Sequence, residues 1–440
     1  MDVPADALGS GWTDREAGAF LTRLTEIENR MGGHPGEHRA AELVAETLRD
    51  AGARDVTVDA FDVRTWRRGS AELGVVEPVR RSFDTIALPY SPGGDVRAPL
   101  VDVGYGTPEE LDAADLRGAI AVASTTTPAE YGRFLHRMEK FGHAAAAGAE
   151  AFVFRNHVPG QLPPTGSLAF NHEVAVPGVG VSKETGEWLV DYAARDGVAT
   201  VRVDASTEPG VSHNVHGVFG PAAGDEVVVL AHLDAHDIAE GALDNGCGVA
   251  VVTTMARMLD RADLDCRVRV AGVGSEEIGL LGSAALADHL DLDRVKAVVN
   301  VDGAGRYRTL RTFTHGSEET IAPLVERVAE RTDRPLPIEE HVHPFSDHWP
   351  FLREGVPAVQ LHSETPERGR GWGHTHADTR DKADSRNVRE HAMLAALLVA
   401  ELADVERIPR VQASDLRERL QGEQFEQGMR AADIWPADWK

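Results

Sequence analysis

Apolar positions along this chain fall into stretches of contrasting period. Between residues 17 and 51 they recur at helical spacing, first Phe20, Leu21, Leu24 and Ile27, then Ala40, Leu43, Val44 and Leu48. The stretch Gly32-Gly33-His34-Pro35-Gly36 breaks that pattern into two helices. Val56 to Phe61 alternates as a strand. From 89 to 205 the chain changes character. Short β-like runs (Leu100 to Val103, Ala119 to Ala123, Ala151 to Phe154, Val176 to Val181) are split by Gly/Pro turns, after the turn-rich junction Pro89-Tyr90-Ser91-Pro92-Gly93-Gly94. Beyond Glu208 apolar strands and helices alternate: Glu226 to Leu230, Val268 to Val273, Val298 to Val301 and Ala358 to Leu361 as strands, interleaved with helices at Gly246 to Leu259, Leu280 to Leu290, Ile321 to Ala329 and Asn387 to Ala403. Continuous apolar strands alternating with helices predict an α/β fold, its central sheet mixed but mostly parallel and covered on both faces, with a separate β-rich module inserted at 89–205. The polar tail 406–440, with Phe425, Trp435 and Trp439, reads as a C-terminal helix or cap.

Composition narrows the function. The chain has 440 residues, enough for two or three domains at about 150 residues each. Its net charge of −26 argues against general nucleic-acid binding, which needs Lys/Arg surfaces. Only Lys140, Lys183, Lys296, Lys382 and Lys440 are lysines, the other basic residues being Arg. Acid-rich and Lys-poor is the balance of a protein kept soluble in strong salt, so a halophilic, cytoplasmic setting is expected; a GC-rich genome also favours Arg over Lys. The longest apolar run, Ala392 to Ala400, is too short to span a membrane, and the first residues show no basic-then-apolar export pattern. Two cysteines, Cys247 and Cys266, rule out a disulfide scaffold or a Cys-rich zinc site and read as small core residues.

The chemistry sits at strand ends, where open α/β sheets bind ligands. No His-Glu-x-x-His, P-loop, Gly-x-Ser-x-Gly or dinucleotide fingerprint is present. Instead the strands run into His232-Leu233-Asp234, Ser275-Glu276-Glu277 and Asp302-Gly303; Asp244-Asn245-Gly246 opens a helix 12 residues after His232, and His374-Thr375-His376-Ala377-Asp378-Thr379 follows late. Imidazole and carboxylate suit catalytic Zn²⁺, and two metals need a carboxylate to bridge them. A proton acceptor that is not itself a ligand is then required, and adjacent glutamates can divide those tasks. Asp234, two residues from His232, is placed to fix an imidazole tautomer.

At these residues the sequence resembles the co-catalytic zinc exopeptidases of metallopeptidase family M28, a family of aminopeptidases and glutamate carboxypeptidases. The likeness lies in order and spacing: His-x-Asp, Asp244 at 12, Glu-Glu, Asp, and a late His-Thr-x-x-Asp-Thr. The strings around His236-Asp237 and Gly241-Ala242-Leu243 look closest to its carboxypeptidase Q-like branch. The resemblance implies a three-layer α/β/α zinc-exopeptidase fold, with 12–88 and 206–405 forming the catalytic domain and 89–205 a protease-associated (PA) domain. It implies two Zn²⁺, with Co²⁺ or Mn²⁺ as alternatives: His232 and Asp302 on one, Glu277 and His374 on the other, Asp244 bridging. Glu276 would be the general base working through a metal-bridging hydroxide, Asp234 its catalytic companion behind His232, and the Asp244–Asn245 peptide would be cis. The implied partner is a short peptide, with no nucleic acid or membrane, and an oligomer is compatible. Aminopeptidase and carboxypeptidase or dipeptidase action both stay open; the rivals are a non-catalytic receptor-like protein on the same scaffold and a single-zinc glutaminyl cyclase. Ser346-Asp347-His348, Phe351 and Gly355-Val356-Pro357-Ala358 also match the family pattern. His341, His343, His348 and His362 crowd the loops before His374 and read either as pocket residues or as loop histidines without a role. Arg306, Arg308, Arg368 and Arg370 offer grips for a substrate carboxylate, although solvated surface suits most of them.

Overall fold

The computed structural model describes residues 3–340, 342–364 and 371–439, which form two compact units. The first comprises 3–63, 210–373 and 378–416 within those limits, and the second 64–209, 374–377 and 417–439. The chain passes between them inside two long strands, Arg54–Glu77 and Val198–Phe219.

In the first unit, Glu226–His232 lies at the centre of the sheet, parallel to Arg267–Val273 on one side and Val295–Val301 on the other. Val295–Val301 pairs in parallel with Ala358–Ser363, which pairs antiparallel with Leu310–His315. Residues 215–219 add an antiparallel neighbour to Arg267–Val273. Successive side chains of a strand point to opposite faces, and here both faces are apolar. Val227 and Val229 enter the core shared with Leu21, Leu24, Val44, Leu48, Met255 and Leu398, while Val228 and Leu230 enter a second core with Leu286, Phe351 and Val356. That is the three-layer arrangement, with helices Glu16–Thr25, Pro35–Asp50, Cys247–Leu259 and Ser385–Asp404 contributing to one core and Leu281–His289 to the other. Among the described residues no helix is long and apolar enough to cross a membrane. Cys247 and Cys266 are buried in the larger core, and burial pushes the Cys247 thiol up to about 12.

The second unit is built on Gly94–Asp102, Ile120–Ser124, Ala151–Arg155 and Gly178–Val181, successive parallel neighbours. Helices Arg137–Ala146 and Lys183–Ala193 accompany them, so the inserted module is more helical than its β-like runs suggested. The unit is also wider than the 89–205 span, because it takes in 64–88 and the end of the tail. Helix Phe425–Ala431 packs on Arg137–Ala146. Glu139 is held by a two-pronged ion pair with Arg133 at 2.7 and 2.8 Å, and the Arg133 guanidinium lies 5.0 Å from the Phe425 ring centre. The helices approach so closely that a Cβ on Gly142 would collide with the Ala431 carbonyl. Gly142→Leu is therefore expected to force the tail off its seat. Thermal unfolding should show a loss of about 1–3 kcal/mol, the usual cost of overpacking, and limited proteolysis should clip the tail faster than in the wild type.

Candidate metal centre

The C-terminal ends of three adjacent parallel strands deliver His232, the 275–277 loop and Asp302 to one edge of the sheet. His232 Nε2 lies 3.4 Å from Asp244 Oδ1 and 3.9 Å from Asp302 Oδ1. Each of these three residues offers one ligand atom, and the three atoms lie within 4.8 Å of one another. One imidazole and two carboxylates at this spacing fit a divalent cation of the zinc type.

Each of these three side chains is steered from behind. His232 Nδ1 faces Asp234 at 3.4 Å to Oδ1 and 3.2 Å to the backbone carbonyl. Asp302 Oδ2 accepts hydrogen bonds from Ser346 Oγ (2.8 Å) and Gln360 Nε2 (3.4 Å), and the Ser346 hydroxyl is itself held by Asn300 at 2.7 Å. Asp244 sits at a distorted turn entering helix Cys247–Leu259, where the Asp244–Asn245 peptide is cis. Asp378 accepts the N–H groups of Leu243 (2.6 Å) and Asp244 (3.1 Å), and Asn245 bonds Val301 and Gly303, fastening the turn to the next strand end. Arg30 donates to four carbonyls, those of Leu24, Leu233, Glu240 and Gly241.

The adjacent glutamates diverge. Asp234 is fully buried and accepts both N–H groups, Glu276 at 3.0 Å and Glu277 at 3.1 Å, so it fixes the backbone of the pair. Glu277 Oε2 lies 2.9 Å from His236 Nε2, while Glu276 stays half-buried. Burial, with Glu277, Asp347 and Asp302 adding to it against the pull of His232, holds the Glu276 carboxyl well above the ordinary range. Burial opposes charge on His232, but Glu276, Asp234 and Asp244 outweigh it and hold its pKa well above the ordinary imidazole value.

One supporting residue left no trace in the sequence reading. Glu37, from helix Pro35–Asp50, is fully buried and accepts from Ser212 Oγ (2.8 Å), the Ser275 N–H (2.8 Å) and the Gly33 N–H (2.9 Å). It braces Ser275, which holds the left-handed conformation (φ 57°) immediately before Glu276. Glycine at 32 and at 274 makes room, since a Cβ at either would stand 2.5 Å from the Ser275 hydroxyl or from Glu37 Oε1. Its helix reads as core packing, and only the fold shows that Glu37 faces the site. His236, quoted in the motif but given no part, is the neighbour of Glu277.

The remaining residues sort clearly. His374 belongs to the second unit, where its carbonyl accepts the Thr165 N–H at 2.8 Å. His348 is buried and stacked on His315 with ring centres 3.9 Å apart, and His362 Nδ1 donates to the Asp302 carbonyl at 2.9 Å. Arg306 is not solvated surface: it pairs with Asp244 at 2.9 Å. Arg308 is exposed, and His341, Arg368 and Arg370 lie outside the described residues.

A mostly parallel sheet with carboxylates and imidazoles gathered at its strand ends defines a metal-dependent α/β protein. Residues 214–399 match Peptidase family M28, and 96–189 match the PA domain. Aminopeptidase YwaD of Bacillus subtilis (strain 168) is 28% identical over 409 residues, which covers 90% of this chain and 86% of that protein. Leucine aminopeptidase 2 of Trichophyton rubrum is 30% identical over 369 residues, covering 79% and 72%. Among solved structures, a zinc aminopeptidase from Bacillus subtilis superposes with a TM-score of 0.71 at 27% identity, over 94% of this chain and all of that one. This chain belongs to peptidase family M28 and carries an inserted PA domain.

The brace at Glu37 has a pH consequence. Burial, reinforced by Asp234, raises its carboxyl to about 8. Between the ordinary carboxyl range and that value the folded protein keeps a proton that the unfolded chain releases. Its contribution to stability is complete at acid pH and is lost as pH rises through about 8. Glu37→Gln is expected to flatten the fall of melting temperature across that window; an identical slope in wild type and variant would remove Glu37 from the account.

Proposed function

We propose that this protein is a zinc-dependent aminopeptidase acting on short peptides, with two cations and Glu276 as general base. The observation that carries the reading is the His232–Asp244–Asp302 set, its ligand atoms within 4.8 Å of one another, beside a glutamate pair whose backbone Asp234 fixes. We assign His232 and Asp302 to one cation, Glu277 and His374 to the other, and Asp244 to both. The named relatives support the aminopeptidase direction, since they are a zinc aminopeptidase and a leucine aminopeptidase. The carboxypeptidase alternative rests on motif likeness and the presence of arginines.

Bound cations supply Lewis-acid polarisation of the scissile carbonyl and make water acidic enough to ionise near neutral pH. The protein's own groups do the rest. Asp234 keeps the His232 ring oriented and, through the N–H groups of 276 and 277, aims the glutamates apart. Glu276 accepts a proton from the attacking water and returns it to the departing amine, so the peptide C–N bond breaks as a new C–O bond forms.

Glu276→Gln is expected to retain the metal content of the wild type, measured by mass spectrometry, while losing at least about a hundredfold in kcat, as removal of a general base does. Undiminished turnover would end the assignment. Amino-acid amides compared with N-blocked dipeptides test the direction of reading. Cleavage of the amides alone is expected; preference for the blocked dipeptides would make the enzyme a carboxypeptidase. Activity surviving exhaustive chelation would exclude the metal mechanism.

A further inference from the structure

Arg306 has no part in that mechanism, yet its guanidinium stands among the carboxylates. It follows Asp302 by four residues on a loop fixed twice, through the Gly303 N–H to Asn245 Oδ1 at 3.2 Å and the Gly305 N–H to His391 Nδ1 at 2.8 Å. Its Nε donates to the Leu243 carbonyl, which tethers the head. Its Nη2 lies 2.9 Å from Asp244 Oδ1 and 3.7 Å from Asp302 Oδ1, and only 10% of the side chain is exposed. Asp244 Oδ1 is also the oxygen that faces His232 Nε2 at 3.4 Å. The guanidinium therefore holds the same carboxylate oxygen that would receive a cation gathered by His232, Asp244 and Asp302.

Two effects follow, with opposite signs for cation affinity. A donor bonded to a ligand oxygen orients it, and losing such an outer partner typically weakens metal binding about 10- to 100-fold. A fixed positive charge on that oxygen, inside a poorly solvated site, repels the incoming cation and must give way to it. Here the second effect dominates. Asp244 is already oriented by Asp378 through its backbone and Asp302 by Ser346 and Gln360, so orientation survives without Arg306.

We infer that Arg306 controls cation loading through its charge: it neutralises Asp244 and Asp302, and a divalent cation binds by displacing that charge from Asp244. The inference rests on the reading that these carboxylates hold a cation.

The test uses the full chain, stripped with a chelator and dialysed. Zn²⁺ affinity is measured by competition with a chromophoric chelator, and the stripped protein is melted. Arg306→Gln is expected to bind Zn²⁺ at least about tenfold more tightly than wild type, the direction set by removing a like charge. Its stripped form should melt at lower temperature, because buried carboxylates lose their partner. A residue that merely supports the loop would lower both. Arg306→Lys, which keeps the charge, should bind Zn²⁺ close to the wild-type affinity and guards against misfolding of the neutral variant. Weaker or unchanged affinity in Arg306→Gln, or equal tightening in Arg306→Lys, overturns the inference while leaving the peptidase reading intact. A wild type that binds no Zn²⁺ sinks both.

Discussion

Asp234 is the constraint on which the rest of the site depends. Its carboxylate is wholly buried, which would be costly without compensation. The compensation comes from two consecutive backbone N–H groups, those of Glu276 and Glu277, and from the His232 ring. One buried carboxylate thus joins the end of the central strand to the loop after its neighbour and fixes the ring plane of His232. Asp378 repeats the device on Leu243 and Asp244, and Arg30 provides its complement by collecting four carbonyls with one guanidinium. Loops that carry ligands have exposed polar backbones by necessity; here those groups are spent on buried charges, so irregular chain becomes as fixed as the sheet.

How much of this was legible depended on where each signal lies in the chain. Strands Glu226–His232, Arg267–Val273, Val295–Val301 and Ala358–Ser363 were legible because a parallel strand buried on both faces is apolar without interruption. Leu310–His315 was not. Its buried positions include Thr312 and Thr314 while Phe313 is only half-buried, so the usual hydrophobic alternation is inverted. Strand ends announced His232, Glu276, Glu277 and Asp302, since loops following consecutive apolar strands converge in such a sheet. Glu37 and Arg30 were invisible for the opposite reason. Their partners lie about 200 residues away in the chain, and a Glu or Arg near a helix start is locally indistinguishable from solvated surface.

The same argument explains why the inward turn of Arg306 is not legible in the sequence. A charged residue five positions beyond a strand end normally reaches water. What turns this one inward is the accumulated negative potential of Asp244, Asp302 and Asp378, which outweighs the cost of burial and holds its pKa above the ordinary guanidinium value. The potential is a property of the assembled fold. It forms only once strands distant in sequence are adjacent, so no window of sequence carries it.

The carboxylates of the centre form a gradient. Asp234 and Asp378, which grip backbone, are 0% and 3% exposed, whereas Asp244, which faces His232 together with Asp302, is 8% exposed and Asp302 is half-buried. Depth and task correlate for a physical reason. A carboxylate committed to two N–H groups recovers part of its desolvation cost from those donors, although burial still pushes the Asp378 carboxyl up to about 7. A carboxylate that must exchange one positive partner for another needs a path to solvent and a partner that can be displaced. The deep pair therefore sets the geometry, and the shallow pair, paired with the Arg306 guanidinium, is where chemistry can enter.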